Sequence, residues 1–341
     1  MLEKIFQYAM DQECSDIHIS CDEHPVIRKL GELEKMTTLP LLKPADVDDI
    51  IKKIVNEDQY AKYQDNIEID LSIEMSHGHR CRINIFKNTK GGAIAIRPIS
   101  NKPKTLAQIK APKVFEELLN KRQGLVIVSG PTGCGKTTTL SAMVNHINNN
   151  YKCNIITIED PIEYLHKSNK SLINQREIGT HSKSFPCALR SSLREDPDII
   201  LIGEMRDLET ISLALTAAET GHLVLATLHN STSANAISRI IDVFHESEQQ
   251  NARSMLANSL NAVVLQHLLP TTDSKMEAAF EVLIANSSIK NLIREDKLAQ
   301  ISSMIEIGKK FGMITFEESI KNMLEKNIID KNTSQDFLKK F

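Results

Sequence analysis

Tryptophan is absent from this 341-residue sequence, and 10 Phe and 5 Tyr bring the aromatic content to only 4%. Its cores must therefore be filled by Leu, Ile, Val, Ala and Met, and it has few platforms on which unpaired bases could stack. An excess of one charge is also missing. The 41 Lys and Arg against 44 Asp and Glu leave a net charge of −3, whereas a dedicated nucleic-acid binder is usually basic. No stretch approaches the roughly 18 consecutive apolar residues of a membrane span. The opening Met1-Leu2-Glu3-Lys4-Ile5-Phe6-Gln7 lacks the basic-then-apolar layout of a signal peptide. A cytoplasmic, soluble protein that does not insert into the membrane is expected. The six cysteines (14, 21, 81, 134, 153 and 187) contain no C-x-x-C pair. Those spacings suit neither a disulfide framework nor a four-thiolate zinc site, so reduced thiols are expected.

The composition is otherwise globular, with 41% apolar and 25% charged residues, and the length suggests two domains. Residues 1–97 read as a small α+β unit. Leu2, Ile5, Phe6 and Ala9 share a helical face, Asp16-Ile17-His18-Ile19-Ser20 alternates like a half-buried strand, and residues 26–30 form a further apolar run. Residues 45–57 have helical periodicity with Pro44 at their start. Strand candidates follow at 67–75, 80–86 and 93–99, separated by Ser-His-Gly-His and Thr-Lys-Gly-Gly turn chemistry. The polar, proline-containing stretch 98–112 suits a linker. Residues 113–341 then alternate continuous apolar runs with helical segments. Leu125-Val126-Ile127-Val128, Ile155-Ile156-Thr157-Ile158, Ile199-Ile200-Leu201-Ile202 and Leu223-Val224-Leu225-Ala226-Thr227 resemble strands covered on both faces. The implied class is an α/β domain with a mainly parallel sheet, preceded by a smaller α+β domain. From about residue 245 the tail is expected to be helical, with Ala252, Leu256, Leu260, Val263, Val264 and Leu268 in one stripe and further helices near 288–298, 300–310 and 315–327.

Chemistry concentrates in Gly130-Pro131-Thr132-Gly133-Cys134-Gly135-Lys136-Thr137, which fits G-x-x-x-x-G-K-[ST] between a strand and a helix expected to start near Thr138. The glycines let successive backbone N–H groups and the helix N-terminus face phosphates. Lys136 would reach the β- and γ-phosphates of ATP, and the Thr137 hydroxyl would hold Mg²⁺. Cys134 is either a small filler or a thiol with thiolate character beside a helix N-terminus. A second buried strand, Asp198 to Ile202, ends in Gly203-Glu204, so Glu204 is the carboxylate where such sites usually have Asp. Glu159, Asp160 and Glu163 follow the 155–158 run, where strand C-termini line a ligand crevice. Asp160 could equally cap a turn at Pro161, and Glu159 and Glu163 could be structural or solvated groups. His222 and His229 bracket the 223–227 run and are either site or structural groups.

The stretch Leu193-Arg194-Glu195-Asp196-Pro197-Asp198 through Gly203-Glu204-Met205-Arg206-Asp207 resembles the signature of the type II/type IV secretion ATPases. Ile158-Glu159-Asp160-Pro161-Ile162-Glu163-Tyr164 is similar to their acidic "Asp box", and Glu219-Thr220-Gly221-His222 through Leu228-His229 to their "His box". Arg80-Cys81-Arg82-Ile83-Asn84-Ile85-Phe86 is similar to their arginine-rich strand. The resemblance covers essentially the whole chain and is greatest to the members that retract type IV pili. It implies a PAS-like N-terminal domain followed by a RecA-like P-loop domain with a C-terminal helical region, working as a hexameric ATPase.

In such a protein Gly130 through Thr138, including Pro131 and Thr132, would bind ATP, and Thr137 and Glu204 would hold Mg²⁺. Glu163 would be the general base, with Glu204, Lys136, Arg82, Arg97, His222 and His229 completing the catalytic set. Arg82 and Arg97 would reach the γ-phosphate, a task that suits a planar, permanently charged guanidinium. The implied partners are five further copies, an inner-membrane pilus platform protein and an accessory paralogous ATPase. Membrane association would run through the platform protein. Alternatives are a pilus assembly or secretion ATPase, an accessory ring member dependent on a partner, and a nucleic-acid translocase. Assembly relatives usually carry a further N-terminal domain and a four-cysteine zinc module. Composition disfavours the translocase.

Overall fold

The computed structural model describes residues 1–12, 14–29, 31–75, 80–99, 103–273 and 275–339. The chain divides into two compact units, Met1–Lys102 and Pro103–Phe341.

In the first unit, helix α1 (Leu2–Asp11) buries Ile5, Phe6 and Ala9. Strands β1 (Asp16–Ser20), β2 (Val26–Lys29) and β3 (Glu32–Lys35) follow. Next come α2 (Pro44–Ile54), α3 (Glu57–Gln64), β4 (Ile69–Glu74), β5 (Arg80–Asn88) and β6 (Gly91–Ile99). The strands form one antiparallel sheet in the order β3-β2-β1-β6-β5-β4. Period-2 alternation sends Ile17, Ile19, Ile83, Ile85, Ile94 and Ile96 into a core shared with α1 and α2. The opposite face of the same strands carries Arg82 and Arg97. Strand β6 includes Pro98 and Ile99, which composition alone assigns to the linker. The Ser-His-Gly-His turn expected at 76–79 lies outside the described residues.

The second unit runs α4 (Val114–Leu119), β7 (Gly124–Ser129), α5 (Lys136–Asn150), β8 (Asn154–Glu159), β9 (Leu172–Glu177), α6 (Phe185–Ser192) and β10 (Ile199–Ile202). It continues with α7 (Leu208–Glu219), β11 (Leu223–Leu228), α8 (Ser233–Asp242), α9 (Glu246–Ser259), β12 (Leu260–Pro270) and β13 (Met276–Ile284). Helices α10 (Ser287–Arg294), α11 (Ile301–Ile307), α12 (Phe316–Glu325) and α13 (Lys331–Leu338) close the fold. The sheet order is β13-β12-β7-β11-β10-β8-β9, parallel except for the β12–β13 pair. Every residue of β7, β10 and β11 is buried. Helices α4 and α5 cover one face of the sheet, and α6 to α13 cover the other. After β7 the chain crosses to β8, leaving β11 and β10 to be inserted between them. This topological switch opens a crevice at the carboxyl ends of these strands.

One expectation is corrected. The tail from about residue 245 is not wholly helical, and the apolar stripe from Ala252 to Leu268 is not a single helix: α9 ends at Ser259, the chain enters β12 directly at Leu260, and β13 pairs with it as a second strand. The β-branched Val263 and Val264 fit a strand flanked on both sides, by β7 and β13. A chain that is apolar on both faces of a strand can imitate helical spacing over a short window.

Candidate nucleotide site

The carboxyl ends of β7, β8, β10 and β11 converge on a cleft of about 320 Å³ lined by the phosphate loop, Glu159, Asp160, Glu163, Glu204 and His229. Glycine is required in the loop at two positions for distinct reasons. At Gly130 (φ +148°) an added Cβ would lie 2.3 Å from the carbonyl oxygen of Gln266 on β12, so only hydrogen fits. At Gly135 (φ +89°) the backbone is left-handed at the residue preceding α5. Helix α5 begins at Lys136, so its N-terminal amides face the cleft.

Lys136 is 8% exposed. Its Nζ donates to the carbonyls of Gly130 (2.8 Å) and Pro131 (2.9 Å) and lies 3.3 Å from His229 Nδ1. Burial pushes its ammonium below the usual lysine range. An anion in the loop would relieve that penalty. Cys134 is 4% exposed, burial pushes its thiol up, and its carbonyl accepts from Gln266 Nε2 at 2.6 Å. The filler reading therefore describes it. Gln266 also accepts from Thr139 Oγ1 at 2.6 Å, pinning the loop and the first turn of α5 to β12.

Gly203 follows β10 and donates its N–H to Ile158 O at 2.8 Å. A Cβ there would stand 3.2 Å from that oxygen and 3.3 Å from Glu159 Cα. A side chain at 203 would therefore require the end of β8 to give by a few tenths of an ångström. Glu204 accepts from Arg206 Nε at 2.7 Å and lies 3.5 Å from His229 Nε2. Burial, and then the Lys136 charge, hold His229 below the usual imidazole range, with Glu204 opposing. Lys136, His229 and Glu204 thus form one contiguous row. Thr137 Oγ1 and the Glu204 carboxylate are hard oxygen donors of the kind that hold Mg²⁺ while phosphate and water complete its shell.

The segment between β8 and β9 presents Glu163 to the cleft as an exposed carboxylate. Beside it, Tyr164 OH and Thr138 Oγ1 are 2.9 Å apart, tying the segment to α5. Half-buried in the same wall, His166 Nε2 lies 3.2 Å from Ser141 Oγ, and desolvation pushes this imidazole down to about 4. The unfolded chain therefore binds a proton near its ordinary pKa of about 6.5 that the folded chain refuses until about pH 4. The corresponding stability is complete above about pH 6.5 and is lost as pH falls toward 4, with an upper bound of about 3 to 4 kcal/mol. Denaturant melts of His166→Gln should show a smaller drop between pH 7 and pH 5 than the unsubstituted protein.

His222 does not reach this cleft. It precedes β11 at the amino end, where its Nδ1 lies 3.0 Å from Ala217 O, while His229 follows the carboxyl end. Arg82 and Arg97 lie in the first unit and are direct cross-strand partners. Arg97 pairs with Asp16 through Nε and Nη2, both at 2.8 Å. Arg82 is exposed and has no ion pair among the described residues. Like charges directly opposite one another destabilise a sheet, and the Asp16 carboxylate offsets that cost on the Arg97 side. The sequence-based reading missed Gln266, His166 and Gln175, whose roles arise only where distant elements meet.

The fold and this site define a P-loop ATPase. A model of the "Type II/IV secretion system protein" family matches residues 1–311. The chain belongs to that family. It is 46% identical over 306 residues to a twitching motility protein of Neisseria gonorrhoeae, covering 89% of this chain and 82% of that protein. It is 42% identical over 335 residues to the type IV pilus retractation ATPase PilT of Pseudomonas aeruginosa, covering 98% and 97%. A crystal structure of the pilus retraction motor PilT with bound ADP superposes with a TM-score of 0.91 at 38% identity, covering 98% of this chain and 95% of that one.

Proposed function

We propose that this protein is a homohexameric motor that hydrolyses ATP with Mg²⁺ to power type IV pilus retraction and twitching motility. The observation that carries this reading is the near end-to-end match to a pilus retraction ATPase, 98% of one chain against 97% of the other, together with a complete set of phosphate-binding and acidic groups in one cleft. The loop amides and Lys136 hold the β- and γ-phosphates, and Thr137 and Glu204 hold Mg²⁺. Magnesium supplies charge neutralisation at the phosphates. Glu163 orients the attacking water and receives its proton. His229 lines the γ-phosphate end, and Arg82 and Arg97 neutralise the γ-phosphate of a nucleotide held in the ring.

The acidic groups occupy one side of the loop, so base and ribose leave on the other. There a second hollow touches Gly135 and Thr138 and is walled by Gln108, Gln266 and Leu268. Among the described residues, no helix is long and apolar enough to cross a membrane. The motor works in the cytoplasm, peripheral to the inner membrane, on a platform protein of the pilus machinery. An accessory paralogous ATPase is a further partner. A strain lacking the gene should keep excess surface pili and lose twitching. Bald cells would assign the protein to assembly instead.

A further inference from the structure

Glu163 lies in an irregular segment, so something other than a helix or strand must hold its carboxylate steady. Edge strand β9 does so through one side chain. The Gln175 Oε1 accepts from the backbone N–H of His166 at 2.8 Å, and its Nε2 donates to the backbone carbonyl of Tyr164 at 2.8 Å. A single side-chain amide thus binds the C=O of one residue and the N–H two residues on, as a neighbouring strand's peptide would. The other Nε2 hydrogen donates to Glu159 Oε1 at 3.2 Å, and that oxygen also accepts from Thr157 Oγ1 at 2.6 Å. Gln175 therefore clasps both ends of the segment that carries Glu163: the end of β8 at Glu159, and the exit at Tyr164 to His166.

Its neighbours on β9 complete the clasp. Two residues further on, Glu177 Oε2 accepts from the Ile162 N–H at 3.0 Å, fixing the residue before Glu163. The register between β8 and β9 places Gln175 opposite Thr157 and Glu177 opposite Glu159, so both reach the segment from the same face of β9.

We infer that Gln175 is a positioning residue for ATP hydrolysis, setting the place of the Glu163 carboxylate by hydrogen-bonding the backbone on its carboxyl side and Glu159 on its amino side. This rests on Glu163 being the group that orients water. The chemistry demands a neutral amide. A carboxylate at 175 would set an acceptor against Tyr164 O and a negative charge against Glu159, and an alanine would leave the Tyr164 and His166 backbone groups without these partners.

The test compares Gln175→Glu and Gln175→Ala with Asn174→Ala, whose side chain is on the exposed face of β9, in the full-length assembled protein. Steady-state kinetics should show kcat lower on the order of 10- to 100-fold for both Gln175 variants, because small displacements of a reacting group cost that much. KM and the affinity for a fluorescent ADP should be retained, and Asn174→Ala should match the unsubstituted protein. A purely structural role would lower the melting temperature and the ADP affinity together. In a Glu163→Gln background, Gln175→Glu should cost little more, since the group it positions is already disabled. Full, additive loss in that background, or unchanged kcat in the single variants, would overturn the assignment. If Glu163→Gln itself leaves turnover intact, the role given to Glu163 fails instead, and the two failures are told apart by that one measurement.

Discussion

Replacing Lys136 with alanine should lower ATP turnover on the order of 100- to 1,000-fold, the loss expected when one preorganised donor to a developing phosphate charge is removed. The ammonium donates to the carbonyls of Gly130 and Pro131 in a nearly closed environment. Burial already pushes its pKa down, so the charge is held at a cost. An incoming polyphosphate turns that cost into attraction, because a charge pair in a partly dry loop interacts more strongly than one in water. Truncation therefore removes affinity for both ADP and ATP as well as catalysis. The fold should lose only part of its stability: the buried charge disappears and water can replace the donor at exposed Pro131, while the buried Gly130 carbonyl loses the Lys136 donor at a cost of about 1–3 kcal/mol. Fluorescent-ADP titration beside a thermal melt separates the two effects. A modest shift of the melt with lost binding is the expected pattern, and retained turnover would remove Lys136 from the site.

The phosphate loop is legible from sequence because its signal is local. Glycines, lysine and hydroxyl occur at fixed spacing, and the continuous apolar run before them is a strand by composition. The same holds for the Gly203-Glu204 turn, whose meaning comes from the buried strand it ends. Less of the surrounding wall can be read. Gln266 reaches Cys134 across 132 positions and sits on the strand that imitates helical spacing. Nothing near it in sequence announces a partner. Gln175 is equally silent, since its role depends on the register between β8 and β9. The two histidines show the opposite hazard. Motif order places both beside one strand, yet six residues at about 3.3 Å each put some 20 Å between its ends. Only His229 comes within reach of Lys136 and Glu204.

Glu163→Gln should separate binding from chemistry, with kcat falling on the order of 100- to 10,000-fold, the range associated with loss of a general base. Glutamine keeps the length of the side chain and an oxygen that can accept from water, but it cannot take the proton that leaves as water attacks the γ-phosphate. The loop, Lys136, Thr137 and Glu204 are untouched, so ATP and Mg²⁺ should still bind. The variant would then be held in its ATP-loaded state. Glu204→Gln provides the contrast. That carboxylate is the one contacted by Arg206 and His229. Losing its charge should raise the Mg²⁺ concentration needed for half-maximal turnover, a change absent from Glu163→Gln. Rapid-quench measurement of a single turnover, set beside a Mg²⁺ titration, assigns the two carboxylates. A Glu163 variant with normal single-turnover chemistry, or one whose defect is relieved by extra Mg²⁺, would reverse their roles. The two carboxylates differ in setting: Glu163 stands exposed in the cleft on a segment anchored on both sides, whereas Glu204 is in contact with Arg206 and His229.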